Sequence, residues 1–241
     1  MHVQKLDTPI TPVTNSTNTA GLTSEDIQAL NAKYHDLSIE QRIQQLYHDF
    51  ELEKVMLTSS FAATSALLLH IFSRYAPQQI VSFIDTGFHF PETLAYKEKL
   101  TQLFHLNVID IRAETWKHEY TLKDQTWKTD PDFCCSINKV EPLFDIKNDH
   151  HVWVSGLMSW QSDHRASLDI FEERNGIIKF YPLIGVTQKQ RDDYILEHNL
   201  PFHPLVKQGY QSIGCTHCTT PGEDRSGRWN NSPKTECGLH L

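Results

Sequence analysis

The stretch EKVMLTSSFAATSALLLHIFSRYAPQQIVSFIDTG, residues 53–87, decides the fold class. Its opening, EKVMLTSS, reads as a short buried strand that runs into a polar turn. FAATSALLLHIFSRYA (61–76) follows with helical apolar spacing, and QQIVSFIDTG (78–87) is a second strand closed by a glycine turn. The alternation continues downstream. FPETLAYKEKLTQLFH (90–105) is a helix with Pro91 in its first turn, and LNVIDIRAE (106–114) is a third strand. A β-α-β-α-β order predicts an α/β fold with a doubly wound, mainly parallel sheet and right-handed crossovers.

On the amino-terminal side, TSEDIQALNAKYHDLSIEQRIQQLYHDF (23–50) predicts two helices with Ser24 and Ser38 as N-caps. On the carboxyl side, HHVWVSGL (150–157) and IIKFYPLIG (177–185) predict strands, and TQKQRDDYILEHN (187–199) an exposed helix. Residues 1–22 are rich in Thr, Asn and Pro, lack a signal-peptide core and read as a mobile leader. Residues 23–208 read as one nucleotide-binding α/β domain. Residues 209–241 have no periodicity and read as a Cys, Gly and Arg segment of the same domain that carries chemistry.

The 241 residues carry a net charge of −8, which argues against a nucleic-acid surface. An acidic protein that binds an anion must gather its cations locally. No apolar run reaches the roughly 20 residues of a membrane span. The expected location is therefore the cytoplasm, where thiols stay reduced and five cysteines, two of them adjacent, do not form a disulfide scaffold.

In open α/β sheets, ligands bind beyond the carboxyl ends of the strands, where helix N-termini offer free N–H groups. Ser59 and Ser60 sit between a strand and a helix and suit an oxyanion; an ordinary N-cap uses the same residues. Asp85, Thr86 and Gly87 end the second strand at the same edge. There an acid can accept from ribose or adenine, and a glycine permits a tight turn. The GxxxxGK[ST] pattern of a Walker loop is absent.

Cys134-Cys135 and Cys215-x-x-Cys218 make a pair of pairs. Four thiolates suit Zn²⁺ or an iron–sulfur cluster. Adjacent ligands favour a [4Fe–4S] cubane, which offers each thiolate its own iron. Cys237 is left over near the carboxyl end, close in sequence to Arg225, Arg228 and Lys234. It is either a surface cysteine or a nucleophile held partly as thiolate.

The stretches SSFAATS (59–65), DTGFHFPETL (85–94), CCSINKVEPL (134–143), SGLMSWQSDHRA (155–166), IGCTHCTTPGEDRSGRW (213–229) and ECGLH (236–240) resemble the phosphosulfate reductases, specifically the iron–sulfur adenylylsulfate (APS) reductases of sulfate assimilation. That resemblance implies an adenine nucleotide α-hydrolase-like fold with a mobile C-terminal tail. It implies one [4Fe–4S] cluster per subunit on Cys134, Cys135, Cys215 and Cys218. It makes Cys237 the nucleophile that takes the sulfonate from APS and releases AMP. Thioredoxin or glutaredoxin would then free sulfite. Ser59, Ser60, Asp85, Thr86, Gly87, Lys139, Arg165, Arg225, Arg228 and His240 are the implied substrate contacts.

The chain departs from the family pattern at Met158, Ser159 and Trp160, where two arginines of the usual motif are missing; if those arginines hold a 3′-phosphate, their absence favours APS over its 3′-phosphorylated form, PAPS, and it could equally mean weaker binding. The rival readings are PAPS or dual specificity, and a non-enzymatic Fe–S or zinc regulator. No nucleic-acid or membrane partner is expected, and self-association is left open.

Overall fold

A computed structural model of the chain describes residues 23–223, 225–229, 234 and 236–239. The leader expected over 1–22 lies outside the described residues. Helices α1 (Ser24–Tyr34) and α2 (Ile39–Asp49) both open on capping boxes. The cap of α1 is Thr23 and not Ser24. Thr23 keeps an extended backbone, its hydroxyl accepts from Asp26 N–H at 3.2 Å, and Asp26 accepts from Thr23 N–H at 2.8 Å. Ser38 caps α2 as expected, in partnership with Gln41.

The expected alternation is present as β1 (Val55–Thr58), α3 (Ser65–Tyr75), β2 (Ile80–Ile84), α4 (Pro91–Phe104) and β3 (Asn107–Ile111). Helix α3 starts four residues later than its pattern suggests. Phe61 takes a left-handed backbone, φ 47°, which turns its fully buried ring edge-on to Phe83 at 5.6 Å. That geometry cannot continue a helix, so residues 61–64 form a loop.

A helical block without clear periodicity follows: α5 (Thr115–Lys123), α6 (Thr126–Thr129), α7 (Pro131–Cys135), a π turn (Ser136–Val140) and α8 (Glu141–Lys147). Then come β4 (Val152–Val154), α9 (Asp163–Ala166), β5 (Phe171–Arg174), β6 (Ile177–Phe180) and α10 (Gln188–Glu197).

The six strands lie in the order β3-β2-β1-β4-β6-β5. All neighbours are parallel except the β5–β6 hairpin, which pairs Phe171 with Phe180 and Arg174 with Ile177. Asn175 and Gly176 both have positive φ, as a two-residue hairpin turn requires. The open edge of β5 is answered by Asn31 of α1. Its amide donates to Phe171 C=O at 3.0 Å and accepts from Phe171 N–H at 2.8 Å. Tyr34, Phe171 and Phe180 pack ring to ring behind that edge, 4.5–5.7 Å apart.

The chain builds β1, β2 and β3 in one direction and then crosses to the other side of β1 to lay down β4. The carboxyl ends of β1 and β4 therefore diverge at a topological switch point, where a doubly wound sheet opens a crevice.

Candidate functional site

A cavity of about 220 Å³ occupies that crevice. Its walls are Thr58–Ser60 after β1, the first turn of α3, Thr86 and His89 after β2, and Ser155–Leu157 after β4. The roof comes from the far end of the chain: Gln211–Cys215, Arg225, Arg228, Trp229, Glu236, Cys237 and Leu239. Several buried donors on these walls meet no hydrogen-bond partner among the described residues: Ser155 Oγ, Trp160 Nε1, Arg228 Nε and Trp229 Nε1. Each such group costs about 1–3 kcal/mol if it stays unsatisfied. The cavity is built for a ligand rich in acceptor oxygens.

Of the expected substrate contacts, Ser59, Ser60, Thr86, Lys139, Arg165, Arg225 and Arg228 line this cavity. Ser59 Oγ accepts from Phe61 N–H at 3.2 Å and shapes the loop. Thr64, which precedes α3, makes no side-chain cap; Ser65 N–H is taken by Ala62 C=O at 3.1 Å, and the next first-turn N–H groups of that 11-residue helix are left without a side-chain cap beside the crevice.

Asp85 and Gly87 are not among the lining residues. Asp85 is engaged by Arg112 at 2.7 and 2.9 Å and by Gly87 N–H at 3.0 Å. Burial works to raise its carboxyl, but those partners outweigh it and hold it below the usual carboxylate range. Gly87 has φ +70°, and a Cβ there would stand 2.7 Å from His118 Cε1. It is a glycine for packing reasons, and His118 is the group it makes room for. His240 lies outside the described residues.

The tail is docked where it is described. Glu236 is only 1% exposed in its side chain. It accepts from Arg165 Nε and Nη2 at 3.0 Å each, from Arg225 Nη2 at 3.1 Å and from Ser162 Oγ at 3.3 Å. Burial opposes its charge, but the two arginines prevail and keep the carboxyl below its ordinary value. Burial and the nearby Arg165 push the Arg225 guanidinium down to about 10.

Three residues on, Leu239 C=O accepts from Lys179 Nζ at 3.0 Å. The Leu239 side chain packs against the small apolar cluster of Met56, Ile111, Leu143, Trp153 and Ile177. Lys234 pairs with Asp132. Cys237 is thereby placed on the cavity wall, half-buried. Arg228 lies flat against the backbone of Gly214, where any Cβ would fall 2.3 Å from its Nη2. Its guanidinium stacks over Trp229 at 4.3 Å.

All five cysteines are free. Cys134 and Cys135 end α7, and Cys215 and Cys218 flank a single 3₁₀ turn. An isolated backbone bridge joins Cys215 to His89, and Phe88, Cys134 and Cys215 form one buried cluster beside Trp127. Polar groups stand beside three of the sulfurs. Thr86 Oγ1 is 3.4 Å from Cys215, Asn138 Nδ2 is 3.8 Å from Cys134, and Lys139 Nζ is 3.8 Å from Cys135.

Burial pushes the thiols of Cys134 and Cys135 up, and burial with neighbouring Cys215 pushes Cys218 up to about 11. Burial opposes the Lys139 ammonium, but Cys215, Cys135 and Cys237 around it raise it above the ordinary lysine value. Among the described residues, no three His, Cys, Asp or Glu side chains are gathered as the ligands of a single metal ion.

Several functional positions escape sequence reading. Glu236 stands inside the quoted ECGLH motif, yet its partners 71 and 11 residues away cannot be read from it. Trp160 lines the cavity with Arg191 of α10 over its ring at 5.4 Å, while neighbouring Met158 is wholly buried. Asn138 and His118 form a hydrogen-bonded pair, 3.0 Å apart, that reaches from Gly87 to Cys134.

Residues 54–221 match the phosphoadenosine phosphosulfate reductase domain. The chain is similar to the phosphoadenosine 5′-phosphosulfate reductase of Gloeobacter violaceus, at 35% identity over 91% of this chain and 95% of that protein. It is also similar to the adenosine 5′-phosphosulfate reductase of Mesorhizobium japonicum, at 39% identity over 84% and 81%. Among solved structures, a phosphoadenylyl-sulfate reductase from Candida auris in complex with phosphate superposes with a TM-score of 0.73. It is 26% identical and covers 83% of this chain and 98% of its own. The sheet, its switch point and these matches agree, and the chain belongs to the phosphoadenosine phosphosulfate reductase family.

Proposed function

We propose that the chain is an oxidoreductase that converts APS to sulfite and AMP in sulfate assimilation, through a sulfonated Cys237. The observation that carries this reading is the placement of Cys237 on the wall of a cation-lined cavity at the switch point. The phosphate of the nucleotide would lie against Ser59, Ser60 and the open N-terminus of α3, with Lys139 and Arg228 on the phosphosulfate.

The Cys237 thiolate attacks the sulfonate sulfur, the S–O bond to phosphate breaks, and AMP leaves with that electron pair. Fixed cations stabilise the departing charge. A dithiol protein of the thioredoxin or glutaredoxin kind then attacks Cys237 Sγ. Sulfite leaves, and the partner's second thiol resolves the mixed disulfide, so the dithiol supplies both electrons. The tail must leave its dock for that second step.

Cys134, Cys135, Cys215 and Cys218 fit a [4Fe–4S] cluster. The set is four thiols with N–H or O–H groups beside three of them, and a cubane offers each thiolate its own iron. When bound, the cluster would supply a cross-link and a fixed charge beside Lys139. Among the described residues no helix is long and apolar enough to cross a membrane.

PAPS is the second reading, favoured by the names of the Gloeobacter and Candida relatives. Intact mass after anaerobic mixing with APS, and separately with PAPS, without a reductant, decides between them. A sulfonate on the C-terminal peptide from APS alone is expected, and Cys237→Ser should abolish it. Adduct from PAPS alone would reverse the substrate assignment, and none from either would remove Cys237 from the chemistry.

A further inference from the structure

Two cations under the tail, Arg165 and Arg225, are already paired with a carboxylate. A carboxylate offers about four lone-pair sites. Four donors fill those of Glu236: Arg165 Nε and Nη2, Arg225 Nη2 and Ser162 Oγ, all within 3.3 Å. The remaining Arg165 nitrogen, Nη1, donates to Gln161 Oε1 at 2.5 Å, and Gln161 is itself fixed by Met158 N–H at 3.1 Å. Each Arg165 nitrogen thus makes a bond within the protein, at a side chain 9% exposed.

A second anchor lies two residues beyond Cys237, where Lys179 holds Leu239 C=O and Leu239 enters an apolar cluster. Gly238, at φ +84°, makes the turn between the two anchors. The thiol is thus pinned from both sides.

We propose that Arg165, Arg225 and Ser162 form a carboxylate socket for Glu236, and that Glu236 is the positioning residue that seats Cys237 against the substrate. The socket serves the tail, beside Lys139, Arg228 and the α3 N-terminus on the same cavity wall. Bidentate arginine–carboxylate geometry gives the dock direction as well as strength. Its burial makes it less sensitive to salt than an exposed pair. This inference rests on Cys237 being the nucleophile.

The test uses the full-length, cluster-loaded enzyme with Glu236→Gln, Glu236→Asp and Arg165→Gln, each checked for native circular dichroism. Three quantities are read: iodoacetamide labelling of Cys237 in the C-terminal peptide, single-turnover sulfonation at saturating APS, and APS affinity in a Cys237→Ser background. Glu236→Gln should label about tenfold faster and sulfonate about tenfold or more slowly, with APS affinity within about twofold, because misplacing a reacting group by an ångström costs rate and not binding. Glu236→Asp should fall between, and Arg165→Gln should match Glu236→Gln.

Wild-type labelling and sulfonation in Glu236→Gln would overturn the socket. So would an Arg165→Gln enzyme, or an Arg225→Gln one should Arg165→Gln not fold, that loses APS affinity while its labelling is unchanged. Wild-type protein that takes no sulfonate would refute the nucleophile instead, and the labelling contrast would still report on the socket.

Discussion

His203 shows how one side chain ties the molecule to pH. It is fully buried, its Nδ1 accepts from Leu205 N–H at 3.2 Å, and its Nε2 faces the Thr93 hydroxyl at 3.1 Å. An Nδ1 that accepts must be unprotonated, so the ring is neutral, and burial pushes its pKa down to about 4. The unfolded chain takes up this proton near the ordinary histidine value of about 6.5. The neutral ring's contribution is therefore complete above that pH and is lost as the pH falls toward 4, by roughly 3 kcal/mol in all. Denaturant unfolding at pH 7 and pH 4.5 should show a smaller acid loss in His203→Gln than in the wild type. Equal slopes would mean that His203 is not the group that titrates.

At the scale of elements, what could be read from the sequence divides by how local its cause is. The β1–α3–β2–α4–β3 alternation is written in apolar runs of 4–14 residues and needs no partner to recognise it. The hairpin is different. FEER offers one apolar residue, and its Asn175–Gly176 turn signal goes unnoticed because β5 is an edge strand completed by Asn31 from 140 residues away. Helix α5 escapes for a similar reason, since it buries only Thr121 and leaves Trp116 and Tyr120 exposed.

The cysteines, Lys139 and the arginines were legible as residue types. That Glu236 would hold Arg165 and Arg225 was not, because a socket assembled from three distant segments leaves no spacing to detect. Asn31→Ala tests the edge directly. Loss of one amide that serves both groups of Phe171 should cost about 1–3 kcal/mol in chemical denaturation, and the hairpin amides should exchange faster. Unchanged stability would show that the edge tolerates water in place of Asn31.

Over the whole molecule, the cluster proposed on Cys134, Cys135, Cys215 and Cys218 would join segments about 80 residues apart, across β4, the hairpin and α10. A cross-link of that span restricts the unfolded chain by about 4 kcal/mol in the loop-entropy account. Anaerobic chelation of the iron should lower the unfolding midpoint accordingly while far-ultraviolet circular dichroism stays native, since the sheet does not pass through the cysteines. Collapse of the sheet on chelation would show that the cluster is required for the fold.

The same stitching fixes Trp229, which is 5% exposed and donates its backbone N–H to Cys218 C=O at 3.1 Å. Cys237 lies eight residues beyond it. Fully extended, that tether spans at most about 27 Å. A thiol released from its dock roams a sphere of that radius at an effective concentration on the order of 10 mM. In the proposed reaction the tether would set a ceiling on both half-reactions: the nucleotide and the reductant's dithiol would each have to come within one tail's length of the same buried tryptophan.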